Sequence, residues 1–243
     1  MKLIKFWLFF TLVIFWLSPP AGSPFARKNI RKKVLFLTAE KNPLRLEGIL
    51  SFHSNHPEYP LVILCHPHPL QGGSLNSAVI TAVEAQLLRH KFSTLKFNFR
   101  GVGQSEGFYG QGILEERDLE GAIKFGLNNK FIKPERLFVV GYSFGAIVSL
   151  KVALKNEFIV KLVTIGLPTR YLNNIRFPVS NHKLKICFIA GEKDKKADNP
   201  AEIEAFGNRN SLDFKIILIA AADHFFRVNL EKLSQEVADF LKK

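Results

Sequence analysis

Ser143 stands between two glycines in GYSFG, residues 141–145, where the apolar run RLFVV ends and FGAIVSLKVAL begins. A serine hydroxyl is a poor nucleophile near neutral pH. It needs a base to take its proton and an acid to orient that base. Both follow it in the chain: Asp194 in FIAGEKDKK and His224 in IAAADHFF. Asp223 and Asp198 compete for the role of the acid. Adjacent residues point their side chains apart, which makes Asp223 a poor partner for its own neighbour and favours Asp194. The chemistry these groups suit is attack on an acyl carbonyl, which also requires backbone N–H donors for the oxyanion. One is the N–H of Phe144 at a helix start. The other is sought in HPHPLQGGSLNS, residues 66–77, where Pro67 and Pro69 have no N–H, leaving His68 or Leu70, with His68 favoured. The bland alternatives are a serine that caps a helix and a histidine on a surface loop.

The elements that must position these residues are legible as periodic runs. KVLFLTA, LEGILSFH, LVILCH, STLKFNF, RLFVVGY, VKLVTIG, LKICFIAG and FKIILIA read as eight strands. Helical patterns cover 76–90, 113–129, 144–156, 200–208 and 229–242. Two directly joined strands followed by β/α alternation predict an α/β fold with an eight-stranded, mostly parallel sheet and helices on both faces. Function then gathers at the strand C-terminal ends, where Ser143, Asp194 and His224 all fall. A sharp strand-to-helix turn would hold Ser143 in a strained conformation, with Gly141 and Gly145 avoiding collisions. Between the sixth and seventh strands only LPTRYLNNIRFPVSNHK, residues 167–183, is available, too little for a lid domain with its own core. Tyr171, Ile175 and Phe177 are expected to form a small apolar wall for substrate. Arg170 and Arg176 either solvate the loop or bind an anion.

The chain has 243 residues, 47% hydrophobic and 23% charged, and no linker or repeat divides it. Its formal charge of +13 suggests nucleic acid until its distribution is read. Seven of the 34 basic residues and no acidic one fall in residues 1–33, which leaves +6 for the rest. No strip of alternating basic and aromatic residues marks a base-stacking surface, so nucleic acid is not an expected partner. Residues 1–33 carry a basic start, an apolar run from Phe6 to Leu17 and a Pro-rich break. They read as a segment outside a 34–243 domain, removable without loss of folding. A cytoplasmic protein with a membrane contact through this segment is expected, with export by a signal peptide as the alternative. Cys65 and Cys187 fall in strands separated by two others, about 14 Å at ~4.8 Å per strand, beyond disulfide reach.

No metal or organic cofactor is expected. His66 and His68 lack a third ligand at suitable spacing, and His66 reads as a strand-end residue bonded to backbone. RGVGQSEG follows a strand but its glycine interval is one residue too long for a dinucleotide loop.

Taken together, HPHPLQGGS, FNFRGVGQSEG, GYSFG, GEKD and ADHFF resemble the α/β-hydrolase superfamily, in particular a group of small, mostly uncharacterised bacterial hydrolases. The resemblance spans about residues 34–243. It implies a Ser143, Asp194, His224 triad, an oxyanion loop at 66–70, and a structural role for Arg100, Gly101 and Gly103. Many members have His-Gly where this chain has His66-Pro67, and Asp where it has Asn98. The expected function is cleavage of an ester, thioester or similar acyl bond in a small molecule through an acyl-enzyme. An acyltransferase shares that intermediate, and a non-catalytic binding protein could keep the same turn as scaffold.

Overall fold

The structure, a computed structural model, describes residues 29–175, 179–194 and 199–243. The chain runs β1 (Asn29–Leu37), β2 (Arg45–His53), β3 (Leu61–Cys65), α1 (Ala78–Arg89), β4 (Ser93–Phe97), α2 (Glu115–Leu127), β5 (Leu137–Tyr142) and α3 (Phe144–Ala153). It continues with β6 (Ile159–Ile165), β7 (Lys185–Gly191), α4 (Pro200–Arg209), β8 (Asp213–Ile219) and α5 (Leu230–Lys242). One sheet has the order β1-β2-β4-β3-β5-β6-β7-β8. Its pairs are parallel from β4 through β8, and β2 runs antiparallel to both neighbours.

The two faces follow from the alternation of side chains along each strand. Leu61, Ile63 and Cys65 of β3 and Leu137 and Val139 of β5 join a core that includes Leu119 of α2, Leu150 of α3 and Phe206 of α4. Val62 and Leu64, with Phe138, Val140 and Tyr142, join the opposite core against Val83 of α1 and Val237 of α5. Strands buried on both faces have no polar side to display, which is why β3 and β5 read as continuous apolar runs.

β1 begins at Asn29, so residue 34 falls inside a strand. The register pairs Asn29 with His53 and Lys33 with Ile49. Arg31 and Lys33 face solvent on this edge strand, and the Lys32 amine lies 4.6 Å from the centre of the Phe131 ring. Basic residues at an edge discourage further strand pairing, so the charges are compatible with a strand here. Cys65 in β3 and Cys187 in β7 have β5 and β6 between them, and both thiols are free and buried. Burial pushes each up to about 12. No helix among the described residues is long and apolar enough to cross a membrane. The expected signal or anchor segment lies outside the described residues, apart from its last few positions in β1.

Candidate active site

The turn from β5 into α3 places Ser143 at φ 55° and ψ −113°, a backbone conformation that costs energy for any residue with a Cβ. Its N–H donates to Ile165 O of β6 at 2.8 Å, which holds the turn to the neighbouring strand. The flanking glycines are required by close approach. A Cβ on Gly145 would lie 2.4 Å from Cys65 O and 2.6 Å from His66 O, and one on Gly141 would lie 2.4 Å from Gly145 O. Nothing larger lets α3 start so close to β3.

Two loops bring the partners. β7 and β8 are parallel neighbours, and their C-terminal loops are stitched by Glu192 N–H to Ile219 O (3.0 Å) and Lys193 N–H to Ala222 O (2.9 Å). Asp194 and His224 therefore face each other. The His224 Nδ1 to Asp194 Oδ2 distance is 2.6 Å, and His224 Nε2 lies 3.0 Å from Ser143 Oγ. The Asp194 side chain is fully buried and that of His224 is 14% exposed, so the short bond between them is little screened. With Asp194 accepting at Nδ1, a neutral imidazole keeps its proton there and presents the Nε2 lone pair to the serine. Asp223 is turned away. Its carboxylate accepts from the N–H groups of Phe225 and Arg227 and from Arg227 Nη1 at 3.1 Å. Asp198 lies outside the described residues.

His68 and Phe144 both line the cleft in front of Ser143. Phe144 is the first residue of α3, and its N–H has no acceptor within the helix. In the 66–73 turn, Leu70 N–H donates to His68 Nδ1 at 3.2 Å, while Gln71 and Gly73 N–H go to His68 O. None of these bonds uses the His68 N–H, so of the two sequence candidates Leu70 is engaged and His68 is not. The imidazole of His68 accepts at Nδ1 and so carries its proton on Nε2, 3.2 Å from the Tyr109 hydroxyl. Burial holds it neutral, below the ordinary histidine range. His66 is buried with both nitrogens occupied, Nδ1–H to Pro67 O at 2.6 Å and Nε2 from Phe99 N–H at 3.0 Å. Burial lowers it to about 4. It fixes the loop as a neutral strut, and neither nitrogen is left for a metal.

Arg100, in the loop after β4, is buried and donates from Nη2 (2.6 Å), Nε and its backbone N–H to Asp118 of α2. The loop that carries Tyr109 is thereby pinned to the body. Asn98 accepts from Leu75 N–H at 2.7 Å and donates to Glu47 Oε1 at 2.5 Å. An aspartate at this position would face the Glu47 carboxylate, so the asparagine matches its surroundings in this chain.

The cleft measures about 1100 Å³. Tyr171 lines it from the 3₁₀ turn Thr169–Asn174 after β6, and Phe177 and Arg176 lie outside the described residues. Sequence reasoning passed over several residues. The Tyr142 hydroxyl donates to His224 O at 3.0 Å, and Tyr109, Ile113, Phe225 and Arg227 add walls. Gly166, at φ 57°, lies where a Cβ would press on His224 Cε1 at 3.2 Å. GYSFG itself carries Tyr142, and Phe225 and Arg227 stand beside His224, whereas Tyr109, Ile113 and Gly166 come from loops distant in sequence and leave no local signal.

No family profile matches the chain. An uncharacterized protein of Rickettsia prowazekii is 28% identical over 204 residues, covering 81% of this chain and 84% of that one. Among solved structures, a protein of unknown function from Agrobacterium tumefaciens, provisionally assigned to the α/β hydrolases, is 26% identical. It covers 87% of this chain and 95% of its own, with a TM-score of 0.74. An α/β serine hydrolase homologue from Coxiella burnetii is 27% identical, covering 86% of this chain and 97% of its own, with a TM-score of 0.73. The chain has the α/β-hydrolase fold, without a large lid domain, and its structural neighbours are described as hydrolases.

Proposed function

We propose that the chain is a serine hydrolase that cleaves an ester, thioester or similar acyl bond. The observation that carries this reading is the continuous relay from Asp194 through His224 to Ser143, with spacings of 2.6 and 3.0 Å, ending on a strained turn at the floor of an open cleft. Strain at a residue that packing alone would not require is a feature of functional sites.

In the proposed reaction His224 Nε2 takes the Ser143 proton as Oγ attacks the acyl carbon. The oxyanion forms against the N–H groups of Phe144 and His68. His224 then gives the proton to the leaving oxygen or sulfur as its bond to the acyl carbon breaks, and the acyl group stays on Oγ. Water enters, loses a proton to His224 and releases the acid, and the proton returns to Ser143. Asp194 keeps the Nδ1 proton in place and stabilises the imidazolium that forms twice in the cycle. No step calls on a metal or organic cofactor.

A fluorophosphonate probe tests the reading, because it needs an activated hydroxyl beside an oxyanion site. Labelling should map to Ser143 and vanish in Ser143→Ala. Equal labelling of the two proteins overturns it.

A further inference from the structure

Charge in the cleft has one sign. Its charged lining residues are Lys151, Arg170 and Arg227, and no Asp or Glu lines it among the described residues. The Lys151 amine is used within the wall, donating to Gly112 O at 3.1 Å beside Glu116 at 3.4 Å. Arg170 donates from Nη2 to the Tyr171 hydroxyl at 3.4 Å. Arg227 follows His224 on the β8 loop, with Asp223 holding one edge of its guanidinium at 3.1 Å, and its side chain is 72% exposed. Arg170 stands on the loop that begins with Gly166 against the His224 ring. Each guanidinium lies over an aromatic ring of the cleft, Arg170 over Tyr171 and Arg227 over Phe225, both at 4.7 Å. Phe225 in turn packs edge-on against His224 at 5.5 Å.

Chemistry decides which part of a substrate meets this surface. His224 must reach the leaving atom to protonate it, so the leaving group lies on the histidine side of the scissile bond. That side carries Phe225 and Arg227, and the loop that brings Tyr171 and Arg170 to the cleft starts at Gly166 against the same ring. Stacked guanidinium groups keep their donors in the plane at the edge, the geometry that receives a carboxylate or phosphate, and the rings offer faces to the carbon skeleton.

We propose that the physiological substrate is an acyl ester or thioester whose leaving alcohol or thiol carries an anionic group, a carboxylate or a phosphate, bound by Arg227 and Arg170. This rests on the serine hydrolase reading and names the leaving-group side of the same site.

The test uses the full chain and three acetyl esters, of 4-hydroxybenzoate, 4-hydroxyphenyl phosphate and 4-hydroxybenzamide. Each kcat/KM is divided by the rate of that ester with imidazole, a neutral nucleophile, which removes differences in leaving-group reactivity without adding a charge effect. At low ionic strength at least one of the two anionic esters should exceed the neutral one by about tenfold, and the excess should shrink as salt screens the exposed arginines. The anionic-to-neutral ratio should fall to about one in an Arg170→Gln/Arg227→Gln variant. Because the ratio is read within one preparation, it does not depend on how much variant is folded. A matched pair with the charge on the acyl side, p-nitrophenyl hemisuccinate against p-nitrophenyl butyrate, should show no such preference. A ratio of one for both anionic esters in the wild type, a preference that survives the double substitution, or a preference on the acyl side alone overturns the proposal. Loss of the hydrolase reading looks different, since turnover of the neutral ester would then be absent or unchanged in Ser143→Ala.

Discussion

Two carboxylates compete for His224, Asp223 beside it in sequence and Asp194 thirty residues earlier, and their environments separate them. Asp194 is fully buried and 2.6 Å from Nδ1, whereas Asp223 is at the surface and paired with Arg227. Replacing Asp194 by asparagine leaves the shape but offers an amide donor or a weaker acceptor at Nδ1, which favours the tautomer with its proton facing Ser143. Asp194→Asn should lower kcat by roughly 10⁴-fold. Asp223→Asn disturbs only an exposed ion pair, worth at most about 1 kcal/mol, and should change kcat by less than about tenfold. Steady-state rates on one activated ester decide the matter, and the reverse ranking would move the acid to Asp223.

β1 shows how an element can be misread at its start. Its first residues, Asn29 to Lys33, carry three positive charges, with exposed Asn29, Arg31 and Lys33 alternating with half-buried Ile30 and Lys32, which resembles the end of a basic tail when read alone. The partner strand reveals them, since β2 is buried through Ser51, Phe52 and His53 and its backbone is paired out to Asn29. A chain starting at residue 29 should keep the full stability of the domain. One starting at residue 34 loses half of that ladder, the packing of Ile30 and the Lys32 contact with Phe131. The loss should be about 2 kcal/mol, or roughly 4–8 °C in Tm for a domain of this size. Thermal melts of the two truncations beside the full chain measure it, and equal melting temperatures would show that residues 29–33 add nothing to the sheet.

At the scale of the molecule, the segment between β6 and β7 contains the 3₁₀ turn and no separate cap domain, and the cleft is open above Ser143. A long acyl chain would lie in a groove that water also reaches, so each added methylene gains less than the ~0.8 kcal/mol of full burial. For p-nitrophenyl esters kcat/KM should peak between acetate and butyrate and show no jump when the substrate begins to form droplets. A steady rise through decanoate would mean an acyl channel that the open cleft does not offer.

By itself the sequence determined the eight strands, the five helices and the order of Ser143, Asp194 and His224 along the chain, because burial on a strand or a helix repeats every two or 3.6 residues and a short window contains that signal. It also determined the turn at Ser143, whose two glycines reflect backbone approaches only a few residues away in sequence or against the neighbouring strand. Tertiary structure decided the rest. That Asp194 and not Asp223 lies against His224 depends on β7 and β8 being parallel neighbours with stitched loops. That Leu70 is engaged depends on a side-chain bond within the folded turn, and Gly166, Tyr109 and Arg227 reach the cleft only because several strand ends converge there. Such pairings join residues tens of positions apart, and the register of neighbouring strands, which no local pattern carries, is what brings them within bonding distance.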